Sequence, residues 1–169
     1  MYATITKVLN KFFKSSTIFK YGFNISPMYK RSTGKLIEVS DDLLHVKVKI
    51  PLSYKNKNYV GSIFGGSLFS ATDPVLMIQL MQILGNDFVV WDKNASIQFK
   101  RPAKENAFAI FDLTQDEIES IKKRILEEKE LDLVKEILIT NKDKSTVFAT
   151  VSKTIYIADK SYYKNKRKK

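Results

Sequence analysis

The apolar segment from Leu68 to Leu84 constrains the fold more than any other part of the sequence. A helix through this segment has apolar residues on every side, so it must be buried all round. Pro74 lacks a backbone N–H, so the helix should either kink or begin there, and Gly85 and Asn86 provide its end. Its longest apolar run, 74–84, is far shorter than the roughly 20 residues that a bilayer requires. The segment therefore predicts a central core helix and no membrane span.

Alternating strands on both sides of this helix predict the sheet that must surround it. In the longest of them, alternation puts Trp91 and Phe99 on one face with Ala95 and Ile97, and Asp92 on the other. The element order is α+β rather than alternating βαβ, and one buried helix requires a curved antiparallel sheet. The predicted strands are Lys35 to Val39, Leu43 to Ile50, Phe88 to Lys100, Ala107 to Leu113, Leu133 to Thr140 and Thr146 to Ala158.

One helix interrupts the strands. Thr114 followed three residues later by Glu117 resembles a capping box, and the charged segment after it predicts a helix that ends near Lys129. Ile118, Ile121 and Ile125 recur at helical spacing and should point inward. This helix is an insertion at the surface of the sheet.

The length of 169 residues and the 44% hydrophobic content fit one domain, assigned to residues 31–159. Residues 1–30 form an amphipathic helix and lead-in, because Ile5, Val8, Leu9, Phe12, Phe13 and Phe19 fall near helical spacing. That helix could lie on a membrane, although docking on the domain's own sheet is favoured. Residues 160–169 form a self-repelling basic run, which predicts a disordered tail.

Several kinds of chemistry are excluded by composition. The chain has no cysteine, which removes disulfides, thiolate nucleophiles and the usual zinc sites, and favours a cytoplasmic location. The single histidine, His45, lies on the outer face of its strand with Lys47 and Lys49. A catalytic triad or a histidine metal site needs an imidazole in a pocket. Any chemistry must therefore use carboxylates, hydroxyls, amides or lysines, and no metal is expected.

The formal net charge of +11 suits a partner that presents clustered negative charge. Nucleic acid, acidic lipid and a polyphosphate ligand such as coenzyme A all qualify, and a lysine-rich composition that only maintains solubility is the simpler explanation. Tyr162 and Tyr163 could stack on bases. No recognised nucleic-acid motif accompanies them, so no nucleic-acid partner is expected.

The segment from Asn58 to Asp73 resembles the signature of small hotdog-fold acyl-CoA thioesterases, which is Asn-x-x-Gly-x-x-His-Gly-Gly followed by an acidic residue. In those enzymes the acid stands eight positions after the first glycine of the pair. Phe64 replaces the histidine, as in an uncharacterised subgroup with Phe-Gly-Gly followed by Asp-Pro. The residues in register are Asn58, Gly61, Gly65, Gly66 and Asp73.

This resemblance implies a hotdog fold and an acyl-CoA site at the boundary between two chains whose sheets join edge to edge. The protein would be a homodimer or a dimer of dimers, with a coenzyme A thioester as substrate and no cofactor. Asp73 would act as the base or the nucleophile, and Asn58 would orient the water or the carbonyl. The N–H of Gly65 would stabilise the oxyanion.

Further substrate contacts follow from the same resemblance. Gly66 allows close approach of the thioester, and Phe64 offers an apolar wall toward the acyl chain. Asp92 stands where relatives keep an assisting polar residue. Lys93 and Arg101, with Lys100, are available for the nucleotide phosphates.

Asp73, the glycine pair and Asn58 also have purely structural explanations. An Asp before Pro is a favoured helix N-cap, paired glycines allow a helix end to pack closely, and Asn58 suits a turn. The alternative function is therefore a non-catalytic hotdog protein that binds acyl-CoA or serves as a scaffold.

Overall fold

A computed structural model describes residues 13–168. Six strands and six helices are formed within that range. In chain order they are α1 (Ser15–Ile25), α2 (Pro27–Arg31), β1 (Lys35–Val39), β2 (His45–Ile50), α3 (Gly65–Thr72), α4 (Val75–Leu84), β3 (Phe88–Phe99), β4 (Ala107–Asp112), α5 (Gln115–Glu128), β5 (Glu130–Thr140), β6 (Val147–Asp159) and α6 (Lys160–Lys166).

All six strands belong to one antiparallel sheet with the order β1-β2-β4-β5-β6-β3. The predicted strands are confirmed, with their ends shifted by at most three residues. β2 starts at His45 rather than Leu43, because Leu43 has a φ of 62° and belongs to the turn after β1. The longest pairings join β6 to β5 on one side and to β3 on the other.

Helices α3 and α4 form the predicted central helix, interrupted at Asp73 and Pro74. Pro74 has no N–H to donate to the preceding turn, which explains why the helix breaks there. Leu68, Val75 and Leu80 are buried, and α3 contacts β2 while α4 contacts β3. By length and composition, residues 65–84 would pass for a membrane span, but 56% of that window is buried inside the domain. The segment is the core of an α+β fold.

The two edges of the sheet differ. At the β1 edge, the Asn24 side chain accepts from the Leu36 N–H and donates to the Leu36 carbonyl, at 2.9 Å each, and Lys20 donates to the Ile37 carbonyl at 2.6 Å. Helix α1 thus covers this edge. At the other edge, β3 pairs along its whole length with β6 and with no other strand of residues 13–168. Unpaired strand edges are sites where another chain can add.

A β-bulge between Asp92 and Asn94 changes which side chains of β3 face the core. Trp91 pairs with Tyr156, and Asp92 pairs with the buried Ile155, so Asp92 faces inward and Trp91 outward. The predicted placement of Trp91 with Ala95, Ile97 and Phe99 was therefore wrong, and so was the outer placement of Asp92. The extra residue in the bulge shifts the alternation, which a strict period of two cannot anticipate.

The inserted helix α5 is as predicted. Thr114 Oγ1 accepts from the Glu117 N–H at 3.1 Å, and the Glu117 carboxylate accepts from the Thr114 N–H at 2.9 Å. Ile118, Ile121 and Ile125 are buried.

The terminal predictions fare differently. The predicted N-terminal residues Ile5, Val8, Leu9 and Phe12 lie outside the described residues. Helix α1 docks on the sheet through the buried Phe19 and Phe23.

The predicted disordered tail instead begins with α6. Its first turn is capped by Asp159, which accepts from the Tyr162 N–H at 2.8 Å, and Lys166 pairs with Glu130 at 2.7 Å. An acidic partner on β5 offsets the local repulsion that predicted disorder.

Candidate functional site

The most unusual side chain of the core is Lys153, whose side chain is 0% exposed. It lies in the inward row of β6, between the buried Val151 and Ile155. Its ammonium donates to Asp92 Oδ1 at 2.7 Å, to Asp73 Oδ1 at 3.1 Å and to the backbone carbonyl of Asp73. A charge removed from water must be paired in this way. Two carboxylates and one lysine therefore form a cluster beside the break in the central helix.

Local structure brings the two carboxylates to this lysine. Asp73 ends α3 immediately before Pro74, where a cation is favoured by the carbonyls of the last turn. Asp92 reaches the same point only because of the bulge in β3. The side chain of Asp73 is 48% exposed and that of Asp92 is 27% exposed. The cluster thus runs from the core to the surface at the β3 edge.

The two acids experience this cluster differently. Burial raises the pKa of Asp92, the Lys153 ammonium lowers it, and the nearby Asp73 charge raises it further, with a net upward shift. Asp73 keeps its second carboxylate oxygen, Oδ2, without a hydrogen-bond partner among residues 13–168. Asp92 Oδ2 has no such partner either, but the side chain of Asp73 is the more exposed of the two and is therefore better placed to accept a proton from water.

The glycine pair begins α3, under two aromatic rings. A Cβ atom on Gly65 would lie 2.7 Å from the Phe99 ring, and one on Gly66 would collide with the Phe64 ring. Phe64 is 59% exposed, and its N–H donates to the Asn56 carbonyl at 2.7 Å. Within the described chain, the N–H groups of both glycines have no protein acceptor. Close ring packing accounts for the small residues, and the two amides remain available to a ligand.

Asn58 organises the loop before this helix. Its Oδ1 accepts from the N–H of Val60 at 3.1 Å and from the N–H of Ser62 at 3.0 Å, and its Nδ2 donates to Ser62 Oγ at 2.9 Å. Gly61 has a φ of 79° in the same turn. The turn role weighed for Asn58 is therefore fulfilled, and its part in chemistry stays a prediction.

The predicted site residues do not all meet within one chain. Gly65 and Asp73 are eight residues apart on one helix, which corresponds to about 12 Å along its axis. One reacting carbonyl cannot contact both. The acid and the glycine amides of a single chain must therefore serve different sites, or one site shared by two chains.

The predicted phosphate ligands are also separated. Lys93 lies on the outer face and pairs with Asp132 at 2.6 Å. Arg101 lies instead in the exposed loop after β3, which approaches the loop before α3 through an Ile63 N–H to Ala103 carbonyl bond of 2.9 Å. Together these two loops carry Lys55, Lys57, Lys100, Arg101 and Lys104.

The histidine and the acidic side chains can also be placed on the fold. His45 is on the outer face, as predicted, with its Nδ1 2.6 Å from Asp112 Oδ1. Within residues 13–168 no group of three His, Asp or Glu side chains is arranged to hold a metal ion.

Two surface depressions lie elsewhere. One of about 490 Å³ is lined by α6 residues, and one of about 310 Å³ by the start of α5, and neither includes Asp73 or Gly65.

Sequence reasoning missed Lys153 and Phe99 as members of this region. Lys153 did have a signal: alternation through Val151, Ile155 and Ile157 puts a lysine in an otherwise apolar row. A charged residue at such a position needs a buried partner and thereby marks a candidate site. Phe99 gave no signal beyond that of an ordinary strand residue.

Similar folds occur in solved structures. A protein of unknown function from Pseudomonas aeruginosa, described as a probable thioesterase, is 18% identical, with a TM-score of 0.74 over 85% of this chain and 95% of that one. A protein of unknown function from Chlorobaculum tepidum is 15% identical, with a TM-score of 0.68 over 85% and 94%. A thioesterase from Haemophilus influenzae is 11% identical, with a TM-score of 0.61 over 86% and 91%. At these identities the likeness is one of fold.

The central helix, the six-stranded antiparallel sheet and these neighbours define a hotdog fold. Residues 15–157 match the family described as a domain of unknown function, DUF4442, and the chain belongs to that family. Comparison with curated proteins finds no match.

Proposed function

We propose that this protein is a cytoplasmic acyl-CoA thioesterase that works as a homodimer and uses Asp73 as its base or nucleophile. The observation that carries the proposal is the Asp73 carboxylate: half exposed, anchored through one oxygen by a buried lysine and free at the other. It stands at the sequence position that the thioesterase signature reserves for an acid. The thioesterases among the solved neighbours support the same class of reaction.

The reaction needs few groups. Asp73 removes a proton from water as the water oxygen attacks the thioester carbonyl carbon. The carbonyl oxygen becomes an oxyanion, which the free N–H groups of Gly65 and Gly66 can stabilise. Collapse of this intermediate breaks the carbon–sulfur bond, the proton held by Asp73 passes to the departing thiolate, and a carboxylic acid and a thiol are released. If Asp73 instead attacks directly, the thiolate leaves as an anhydride forms, and water then hydrolyses the anhydride.

A second copy supplies what one chain lacks. The separation of about 12 Å along the helix keeps Asp73 apart from its own glycine amides. The β3 edge is long, pairs only with β6, and borders Asp92 and Asp73. Pairing of two β3 edges would extend the sheet across both chains. The acid of one chain could then face Gly65 and Asn58 of the other.

The basic loops support a phosphorylated thioester. Lys55, Lys57 and Arg101 lie on neighbouring loops beside the start of α3. Their charge suits the phosphates of coenzyme A. Lys93 is a weaker candidate, because Asp132 already engages it.

Hydrolysis of acyl-CoA substrates of graded chain length tests the activity. Asp73→Asn should lower kcat by at least about a hundredfold, the low end for loss of an acid–base group. Asp132→Asn is the matched control, because Asp132 is also a lysine-paired carboxylate but lies on the outer face. Undiminished turnover in Asp73→Asn would reduce Asp73 to a structural residue.

Mixing two inactive variants tests the shared site. If Asp73 and Gly65 serve one site from two chains, a heterodimer of Asp73→Asn with Gly65→Ala carries one site with both defects and one with neither. Activity should return after the two proteins are unfolded and refolded together. Light scattering at micromolar concentration should give the mass of at least a dimer, and a monomeric mass would contradict the arrangement.

One observation favours the non-catalytic alternative. The Phe64 and Phe99 rings pack against Gly66 and Gly65, on the surface that a thioester would approach. A protein that only binds acyl-CoA could keep such an apolar surface without an acid. Saturable acyl-CoA binding in calorimetry, with no turnover for any chain length, would select this alternative.

A further inference from the structure

We propose that Lys153 is the positioning residue of this site: it fixes the Asp73 carboxylate in the direction that hydrolysis requires. The inference rests on the proposed function for its consequence in catalysis. Its basis is geometric and concerns the three contacts of one buried ammonium.

Two contacts from the Lys153 ammonium hold Asp73 in place. Lys153 donates both to the backbone carbonyl of Asp73 and to Oδ1 of its side chain. Two contacts to one residue, one on its main chain and one on its side chain, restrict rotation of the carboxylate about its side-chain bonds. The remaining oxygen, Oδ2, is left on the partly exposed side. Lys153 itself is too buried to contact a substrate, so it acts through Asp73.

Lys153 is itself held by Asp92. Asp92 accepts from its ammonium at 2.7 Å, the shorter of the two carboxylate contacts. Asp92 therefore balances the charge of the lysine and holds its ammonium in place beside Asp73, whose Oδ1 lies 3.1 Å away. This arrangement explains why two acids surround one base. Asp92 thereby gains a role that its sequence position alone did not predict.

A second lysine, Lys135, lies on the neighbouring strand β5. Lys135 lies directly opposite Lys153 in the β5–β6 register, and like charges in that arrangement repel. Lys135 turns away to Glu117, at 2.5 Å, while Lys153 turns to the two aspartates. The charged groups around Lys153 are therefore Asp73, Asp92 and, on the neighbouring strand β5, Lys135. The two lysines share a face and a register but not a partner, so Lys135 is a matched control.

A structural role alone explains the lysine poorly. Replacing a buried ion pair by apolar residues of similar volume is often neutral or stabilising, so a core needs no lysine at this point. A methionine side chain has a length similar to that of lysine and carries no charge to be paired. What a methionine cannot do is direct the Asp73 carboxylate.

The test uses Lys153→Arg, Lys153→Met and the double variant Lys153→Met/Asp92→Asn, with Lys135→Met as control. The double variant removes the lysine and its closest counter-ion together and provides a folded protein if Lys153→Met alone does not fold. We expect kcat to fall by about tenfold to a hundredfold in both Met variants with KM within about twofold, the size expected for a misplaced catalytic group. Lys153→Arg should recover part of the loss, and Lys135→Met should behave as the wild type.

Crystal structures of the same variants give a second readout that does not depend on turnover. The Asp73 carboxylate should leave its observed position in the folded Lys153→Met/Asp92→Asn protein and keep it in Lys135→Met. An unmoved carboxylate, an unchanged kcat, or an equal loss in Lys135→Met would overturn the proposal. If the wild type hydrolyses no thioester, the proposed function fails, and the position of the carboxylate still decides whether Lys153 directs it.

Discussion

Strand β6 carries two ionic clusters, one on each face, and they differ in nearly every physical respect. On the inner face, Lys153 lies between Asp73 and Asp92 and is wholly enclosed. On the outer face, Glu130 accepts from Tyr156 and from Lys166, whose side chain is 53% exposed. Lys153 and Tyr156 are three positions apart along one strand, an odd number, and therefore point to opposite sides.

The difference shows in the direction of the pKa shifts. Burial raises the pKa of Asp92 despite its lysine, whereas the Lys166 hydrogen bond, followed by that from Tyr156, lowers the pKa of Glu130. Charge in the inner cluster is costly and has to be balanced within the protein. The charges of the outer cluster are solvated, and their pairing adds little to the free energy of unfolding. The inner cluster is thus the one whose retention requires an explanation in function.

The largest expected effect is on the inner cluster. Lys153→Met leaves two neighbouring carboxylates without their cation and should lower the free energy of unfolding by about 3 kcal/mol, the low end for breaking a buried pair, since both acids retain some contact with water. Urea denaturation measures it. Adding Asp92→Asn should restore most of the loss, because one of the two like charges is removed. If the free energy of unfolding of Lys153→Met stays within about 1 kcal/mol of the wild-type value, the inner cluster is no more important for stability than the outer one.

Removal of residues 160–169 is expected to have a smaller effect. Their sequence suggests that they are dispensable, yet the Tyr163 and Tyr156 rings lie 6.1 Å apart and α6 contacts both β6 and β3. A loss of about 1 kcal/mol is expected, the size of one aromatic pair. Deletion of 167–169 alone spares α6 and is the control. Equal melting temperatures for both truncations would show that α6 contributes nothing.

Acidification should loosen the outer cluster first. Because the pKa of Glu130 is lowered in the folded protein, its pairing contributes stability above the ordinary glutamate range, and that contribution is lost as the pH falls through the folded value. The contribution of Asp92 to stability depends on pH in the opposite direction. Because the pKa of Asp92 is raised in the folded protein, its protonation at falling pH favours the folded state. Fluorescence of Trp91, which faces outward opposite Tyr156, should change below about pH 4.5 before the fold melts. Glu130→Gln should lack this early transition.

The smallest effect is expected for Lys166→Met. An exposed lysine paired on the surface contributes little, so the melting temperature should stay within the error of calorimetry. The same lysine-to-methionine change at position 153 provides the contrast. A clear destabilisation at position 166 would show that the outer pair is stronger than its exposure indicates.

Regular patterns made most of the fold predictable. The continuous apolar segment predicted the central helix, alternation predicted all six strands, and the Thr114 and Glu117 spacing predicted the cap of α5. These signals depend only on residues that are close together in the chain, so a single sequence is enough to predict the elements from them.

The candidate site was less accessible, because it depends on an irregularity and on long-range contacts. The bulge near Lys93 inverts the alternation ahead of it, which brings Asp92 to the inner face. Lys153 contacts Asp73 across 80 positions of chain, a separation that no spacing rule covers. Tail helix α6 likewise depends on Glu130, a partner from another strand. The thioesterase-like signature nevertheless singled out both aspartates.

The asparagine that closes the β1 edge also limits how this protein can assemble. With the N–H and carbonyl of Leu36 already engaged by Asn24, a further chain finds no template there. Strand addition is left to β3, and a copy that joins through β3 presents another closed β1 at its far side. If two copies join through β3, growth of the sheet would stop at two chains instead of continuing into a filament. A single amide side chain, far from any proposed chemistry, thus protects a lysine-rich protein with a long open strand from unlimited self-association.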